Sequence, residues 1–412
     1  MRGDVRRYLA ATFSALTIRD YRRYALGQTI SVSGTWMQKL TQAWLVLELT
    51  DSPLLLGVTV AGQQLPTLLF TTLAGVLADR YSKRTILLWT ALGGMLPALV
   101  LGVLVWIDVV NIWIVLAAAV AQGFADAVDK PARLTFVNDI ATPETLANAV
   151  TLNSIIQNSG KIAGPAVAGV LISAVGVSAS FFLNAASYLP VVIALLLIRP
   201  HAPVITGNVS AKGHLGETLR YVSARPHIAA ALVLMAVSGL LAFNWNVLLP
   251  TLARDTFGGD ARVVGFAFTS MGVGAVFGGL ALAGVLRGTS KWLILNGCVL
   301  GAALALTGLM PTVTIAYALL FVVGAASVTF RSTATTLLQL YSDPGVRGRI
   351  ISLLVLATNG TTPVGGPMIG WICTHANPRV ACLVGGLGTV AAALAHWAYL
   401  RKAGTRKDPI PL

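Results

Sequence analysis

Long apolar stretches alternate with short polar clusters along almost the whole chain. Several stretches reach roughly 20 residues, the length that an α-helix needs to cross a hydrocarbon layer of about 30 Å. Gly, Pro and charged clusters divide the apolar sequence into twelve such segments. The pattern therefore predicts twelve transmembrane helices, which we number spans 1 to 12. Their approximate centres are Thr35, Gln64, Leu96, Gln122, Ile162, Tyr188, Ser238, Met271, Val299, Leu320, Thr361 and Thr389.

The longest polar stretch joins spans 6 and 7 and divides the spans into two sets of six. It runs from Arg199 to His227 and contains GETLRYVSARP, which predicts a short surface helix. The sequence thus predicts an N-terminal six-helix bundle with a cytoplasmic lead-in over residues 1–198. A cytoplasmic linker follows over residues 199–227, and a C-terminal six-helix bundle with a cytoplasmic tail covers residues 228–412.

An internal repeat relates the two halves. Gly164-Pro165 in span 5 recurs as Gly366-Pro367 in span 11, 202 positions later. The loops that precede these spans are also alike, reading ATPETLANAV and SDPGVRGRII. Repeats of this kind relate the halves of many transporters by pseudo-symmetry. The predicted fold class is an all-α polytopic membrane protein with twelve transmembrane helices in two pseudo-symmetric six-helix bundles.

Composition and charge agree with this fold class. Of the 412 residues, 56% are hydrophobic and 11% are charged, whereas a soluble domain is about 25% charged. The formal net charge is +14. With both termini placed in the cytoplasm, 21 of the 29 basic residues lie in cytoplasmic loops and tails, three in outer loops and five within spans. This asymmetry follows the positive-inside rule. It predicts a multi-pass protein of the inner (cytoplasmic) membrane whose basic residues contact lipid rather than nucleic acid.

Motifs for enzyme chemistry are missing from the sequence. The five histidines are scattered, the three cysteines lack metal-ligand spacing, and there is no phosphate-binding loop. We therefore expect a protein that is not an enzyme, with no metal, no cofactor and no ATP hydrolysis.

Seven charged residues lie within the predicted spans, where each should face protein or water because a charge in hydrocarbon is costly. They are Lys39, Asp126, Asp129, Lys130, Arg133, Lys161 and Arg331. In span 4, Asp126 and Asp129 each precede a base by four residues, which predicts pairs with Lys130 and Arg133. Asp126 and Asp129 are the candidates for proton coupling. The alternative is a self-neutralised helix end whose long side chains reach the membrane surface.

Polar residues on four spans are candidates for a substrate cavity. They are Lys39, Gln42, Gln157, Lys161, Asn244, Asn246 and Arg331. Five bases against two acids at bilayer depth favour an anionic or electron-rich substrate, such as a catecholate or carboxylate metabolite, over a lipophilic cation. The alternatives are hydrogen bonds to neighbouring backbone, an interfacial anchor at Trp245, and an Arg331 that only reaches the interface.

Several motifs resemble the major facilitator superfamily. GVLADRYSKR, residues 75–84, resembles its signature between helices 2 and 3, although Ser82 replaces the usual glycine. GKIAGPAVAG, residues 160–169, resembles a helix 5 signature of exporters that exchange substrate for protons. LELTDSPLLLGVTVAGQQLP, NDIATPETLANAV and ASFFLNAASYLP narrow the resemblance to the bacterial exporter branch that includes the enterobactin exporter and macrolide efflux pumps. Ala119 stands where many drug–proton antiporters carry an arginine, so coupling through that arginine does not carry over.

The resemblance implies roles for two groups of residues. The gate residues are Gly75, Asp79, Arg80, Lys83 and Arg84, and the helix-packing residues are Gly160, Gly164, Pro165 and Gly169. Asp79 is expected to face the N-terminal end of span 11, near Arg349 to Ser352, where a helix terminus attracts an anion. Lys83 or Arg84 is expected to meet Asp126, Asp129 or Asp139.

These features together predict a secondary active transporter. It would export a small organic molecule, a siderophore or drug-like metabolite, by alternating access and proton antiport, and it would act as a monomer. An importer or facilitator on the same fold is one alternative. A membrane sensor that transports nothing is another, and the intact gate motif and intramembrane charges argue against it.

Overall fold

The computed structural model describes residues 14–198, 215–282 and 288–402. These residues form helices and no strand, and they fall into two compact units. Unit 1 comprises the described residues of Met1–Thr50 and Gly62–Gly207. Unit 2 comprises those of Asp51–Ala61 and Asn208–Leu412.

Within residues 14–198, six long helices follow a short 3-10 turn at Ser14–Thr17. They are α1 (Arg19–Thr50), α2 (Pro53–Arg80), α3 (Lys83–Trp106), α4 (Ile112–Ile140), α5 (Leu146–Val175) and α6 (Val177–Leu197).

Nine helices follow in the described residues of the second half. They are α7 (Leu215–Ser223), α8 (Pro226–Leu241), α9 (Trp245–Thr251), α10 (Ala261–Leu282), α11 (Ser290–Leu309), α12 (Val313–Tyr341), α13 (Arg347–Asn359), α14 (Thr362–His375) and α15 (Pro378–Lys402). A π-helical turn, Leu252–Thr256, continues α9.

Within the described residues, nine helical segments are long and apolar enough to cross a membrane. They correspond to spans 2, 3, 4, 6, 7, 8, 9, 10 and 12. The predicted all-α polytopic class is confirmed, and twelve crossings stay a prediction. Spans 1 and 5 correspond to α1 and α5, which are 32 and 30 residues long and carry many polar side chains. Span 11 is divided between α13 and α14.

Close backbone approach joins α5 to α1 in unit 1. A Cβ atom on Gly160 would lie 2.6 Å from Val32 Cγ1, and one on Gly164 would lie 2.5 Å from the Ser33 carbonyl oxygen. Both distances are shorter than any normal contact, so only glycine permits this helix separation. Pro165 and Gly169 are also buried on α5. The predicted packing residues therefore lie in the interior of unit 1, where they allow α1 to pack closely against α5.

Span 7 is interrupted shortly before Asn246, in the segment that contains Asn244. Helix α8 ends at Leu241 and α9 begins at Trp245. The side-chain amide of Asn244 donates to the Leu240 carbonyl oxygen at 2.7 Å. In a continuous helix that oxygen would accept from the backbone N–H of Asn244. The side chain thus takes over a backbone hydrogen bond and allows the chain to leave the helix.

The predicted short helix before span 7 is α7, while residues 199–214 of the predicted linker lie outside the described residues. Two contacts attach α7 and its following turn to the loop after α12. Arg225 pairs with Asp343 at 3.0 Å, and the Tyr221 hydroxyl accepts from the Asp343 backbone N–H at 2.9 Å. Glu217 of α7 also lies 3.8 Å from Arg349 at the start of α13.

Candidate functional site

A buried ion pair joins α1 to α4 in unit 1. Lys39 Nζ lies 3.7 Å from Asp126 Oδ2, and the side chains are 17% and 16% exposed. Gln122 Nε2 donates to Asp126 Oδ1 at 3.0 Å. The expected pairing of Asp126 with Lys130 is therefore wrong, since Lys130 has no carboxylate oxygen within 4 Å among the described residues. Pairing across helices compensates Lys39, which would otherwise be an uncompensated charge at bilayer depth.

The second acid of α4 keeps its predicted partner. Asp129 Oδ2 lies 3.3 Å from Arg133 on the next turn. Thr90 of α3 donates its hydroxyl to Asp129 Oδ1 at 3.4 Å. Thr90 could not be identified from the sequence, because its only distinguishing feature is its position opposite α4. Asp129 thus has a base and a hydroxyl as neighbours, whereas Asp126 has a lysine and an amide.

Two lysines lie close to the ring of Trp36, a residue that the sequence patterns did not single out. Lys39 Nζ is 4.6 Å from the centroid of the indole, and Lys161 Nζ is 5.7 Å from it. Lys161 also donates to Asn158 Oδ1 at 3.2 Å. Both ammonium groups are within the distance at which an aromatic face attracts a cation. The structure therefore brings together Lys39 and Lys161, as their candidate cavity role requires, and adds an aromatic ring.

The two predicted glutamines differ in their surroundings. Gln42 is 4% exposed, and its amide donates to the Val115 carbonyl oxygen of α4 at 3.0 Å. This contact agrees with the alternative to a cavity role, in which the side chain hydrogen-bonds to neighbouring backbone. Gln157 Nε2 is buried and has no hydrogen-bond partner in the described part of the chain. Gln157 therefore has a donor available near Lys161, and Gln42 does not.

Helix α6 contributes polar groups from the motif ASFFLNAASYLP, which the sequence indicated only through its family resemblance. Asn184 Nδ2 donates to Gln38 Oε1 of α1, and both side chains are buried. The Tyr188 hydroxyl lies 3.3 Å from the Thr35 hydroxyl. These contacts fix one side of α1 while its other side presents Lys39. Thr35 and Gln38 are three residues apart and therefore neighbours on the surface of α1. This spacing is the signal that could have indicated these contacts.

The candidates in unit 2 gather at the break in span 7. Asn244 is 3% exposed and Asn246 is half-buried. The guanidinium carbon of Arg331 on α12 lies 5.7 Å from the centroid of the Phe243 ring. Phe243 in turn lies 6.2 Å from Trp245, centroid to centroid. The side-chain amide of Asn244 is used in the hydrogen bond at the helix break. Asn246, Arg331 and the aromatic rings are the groups that remain to face a ligand.

The gate motif is described in part. Lys83 Nζ lies 2.8 Å from Asp139 Oδ1, one of the three acids expected to meet it. Arg84 donates to the Leu196 carbonyl oxygen at 2.8 Å. A Cβ atom on Gly75 would meet nothing within 4 Å. The side chains of Asp79 and Arg80 lie outside the described residues, and so does the contact expected for Asp79.

The class of protein follows from comparison with known families. The model of the transmembrane secretion effector family matches residues 10–411. The chain therefore belongs to this family of major facilitator superfamily transporters.

Two relatives and one solved structure agree with the family. The staphyloferrin A transporter of Staphylococcus aureus (strain NCTC 8325 / PS 47) is 26% identical over 347 residues, covering 82% of this chain and 86% of the relative. The enterobactin exporter EntS of Escherichia coli O1:K1 / APEC is 24% identical over 394 residues, covering 92% of this chain and 88% of the relative. An inward-facing, occupied bacterial homologue of the human lysosomal transporter Spinster has a TM-score of 0.75 at 15% identity, covering 95% of this chain and 99% of that chain. The last likeness shows the fold.

Proposed function

We propose that this transporter exports an anionic small molecule by alternating access, in exchange for protons. The main support for the proposal is an excess of positive charge: within the predicted spans, unit 1 has four basic residues and two acidic residues. The bases are Lys39, Lys130, Arg133 and Lys161, and the acids are Asp126 and Asp129.

The excess positive charge supports an anionic substrate. Asp126 compensates Lys39, and Asp129 compensates Arg133. Lys130 has no carboxylate oxygen within 4 Å among the described residues. A cation at bilayer depth is costly unless it is paired or hydrated, and a bound carboxylate or catecholate would pair with Lys130. A lipophilic cation would add to the excess.

The relatives support the substrate class and the direction. One is described as a transporter of staphyloferrin A and another as an exporter of enterobactin. A siderophore or drug-like metabolite is therefore the substrate class that we assign. Export also agrees with the resemblance of residues 160–169 to the helix 5 signature of proton-exchanging exporters.

Asp126 is the residue that we assign to proton coupling. It is the deeper of the two acids on α4, and its partner, Lys39, is one of the candidate residues of the substrate cavity. Proton binding and substrate binding would therefore act on one ion pair. The moving units would be the bundles of residues 1–198 and 228–412, joined by residues 199–227, in an inner-membrane monomer with both termini in the cytoplasm.

Accumulation of substrate in everted membrane vesicles tests this function. With an acidic interior, the wild type should accumulate catecholate or carboxylate metabolites, and an uncoupler should abolish accumulation. Asp126→Asn should lose proton-driven accumulation, while Asp108→Asn, at an exposed position after α3, should keep it. Accumulation of lipophilic cations alone would refute the substrate class. Accumulation only in right-side-out vesicles would instead indicate the importer.

A further inference from the structure

Three side chains meet at the break in span 7, within unit 2. Arg331 projects from α12 and lies over Phe243, which stands in the non-helical segment between α8 and α9. Trp245 opens α9 beside it, with ring centroids 6.2 Å apart. Arg331 is exposed, while Phe243 and Trp245 are half-buried. The group therefore presents a guanidinium and two aromatic faces on one accessible surface.

Arg331 lacks an acid in its surroundings. Among the described residues, no carboxylate oxygen lies within 4 Å of its guanidinium and no acceptor takes its N–H groups. It stands ten residues before Tyr341, the end of α12, which is about 15 Å along the helix axis at ~1.5 Å per residue. The face of Phe243 attracts the charge but accepts no conventional hydrogen bond. The planar fork of donors matches a carboxylate or a pair of phenolic oxygens.

The aromatic faces are held in place from behind. Phe330, the neighbour of Arg331 in sequence, is fully buried, and its ring lies 6.5 Å from that of Phe243. A ring fixed in this way can stack with a ligand without first losing rotational freedom. The surface thus combines a fixed aromatic platform with an anion-binding group.

We propose that Arg331, Phe243 and Trp245 form a binding subsite for an aromatic anion. The carboxylate or phenolate of the ligand accepts hydrogen bonds from Arg331, and its ring stacks on Phe243 and Trp245. This inference rests on the proposed function, because it assigns part of the anionic substrate to unit 2, and it narrows the substrate class from anions to aryl anions.

Calorimetry on the full chain in lipid nanodiscs tests the subsite. The probes are benzoate and cyclohexanecarboxylate, which share a carboxylate on a six-membered ring and differ in aromaticity. We expect the aromatic probe to bind about 2- to 13-fold more tightly, the range that one aromatic contact supplies. Arg331→Gln should weaken both probes at least tenfold. Phe243→Leu should reduce only the preference for the aromatic probe, because Trp245 remains, and Phe243→Tyr should restore it.

The outcomes separate this inference from the proposed function. Equal binding of the two probes by the wild type, or unchanged binding by Arg331→Gln, overturns the subsite. Vesicles that export aliphatic and aromatic anions equally well also overturn the subsite and leave the proposed function standing. Aromatic probes that bind through Arg331 but are never transported support the subsite and overturn the proposed export. The Phe243→Tyr protein, which keeps both the ring and the guanidinium, is the conservative control for the Phe243→Leu protein.

Discussion

The ion pair between Lys39 and Asp126 gives the sharpest prediction for unit 1. Lys39→Gln removes the cation and leaves the carboxylate with Gln122, which donates at 3.0 Å. Asp126→Asn removes the acid and leaves the ammonium over Trp36 at 4.6 Å. Each single variant leaves one buried charge without its counterion. The double variant leaves neither, so it should be less destabilised than the two single effects added together.

The magnitude follows from the geometry. At 3.7 Å, two unit charges attract by ~4.5 kcal/mol at an effective dielectric constant of about 20. Removing one partner of a buried pair costs about 3–5 kcal/mol. The amide of Gln122 stabilises the carboxylate that remains in Lys39→Gln, and the ring of Trp36 stabilises the ammonium that remains in Asp126→Asn. We therefore expect each single variant to lose about 3 kcal/mol of unfolding free energy, the lower end of this range. The coupling energy of the pair should be about 2–3 kcal/mol.

A double-mutant cycle measures this coupling. The free energy of unfolding of the four proteins is obtained by titrating SDS into mixed micelles and following helicity by circular dichroism. Arg225 and Asp343 supply a matched control pair, because their side chains are 40% and 65% exposed. An exposed pair is worth about 0–1 kcal/mol. A Lys39–Asp126 coupling no larger than that of the control would refute the reasoning.

Three further substitutions test packing and hydrogen bonding. Gly164→Ala should destabilise unit 1 by about 1–3 kcal/mol through overpacking, while Gly75→Ala, which meets nothing within 4 Å, should change the melting temperature little. Asn244→Leu should cost about 1–3 kcal/mol because the Leu240 carbonyl oxygen loses its partner, and unchanged SDS resistance would contradict that account. Lys83→Met leaves Asp139 without its cation at 2.8 Å; we expect a lower melting temperature, restored by a second change, Asp139→Asn.

Much of the fold was predictable because hydrophobic length encodes it directly. All predicted centres fall within described helices except Thr361, which lies in the turn between α13 and α14. The pair between Asp129 and Arg133 was also predictable, since residues four apart on one helix are neighbours. These features depend on local spacing, which the sequence displays.

The rest depends on how helices pack, which spacing along one helix does not encode. Lys39 and Asp126 are distant in sequence and meet only because α1 lies beside α4. Trp36 became part of the site through Lys161 of α5, brought close by the glycines of that helix. The break before Trp245 contains neither proline nor glycine, the residues that usually indicate a helix break in a sequence. It depends instead on a side-chain hydrogen bond made by Asn244.

The interruption at residues 242–244 also resets the rotational phase of span 7. In a continuous helix, every fourth or third residue returns to the same face, so one helical wheel describes the whole segment. Here the wheel of α8 ends at Leu241 and a new one starts at Trp245. A cysteine-accessibility scan along residues 226–256 should therefore show a 3.6-residue periodicity on each side of the break with a jump in phase between them. Residues of α8 and α9 that would share a face on a single wheel should label independently.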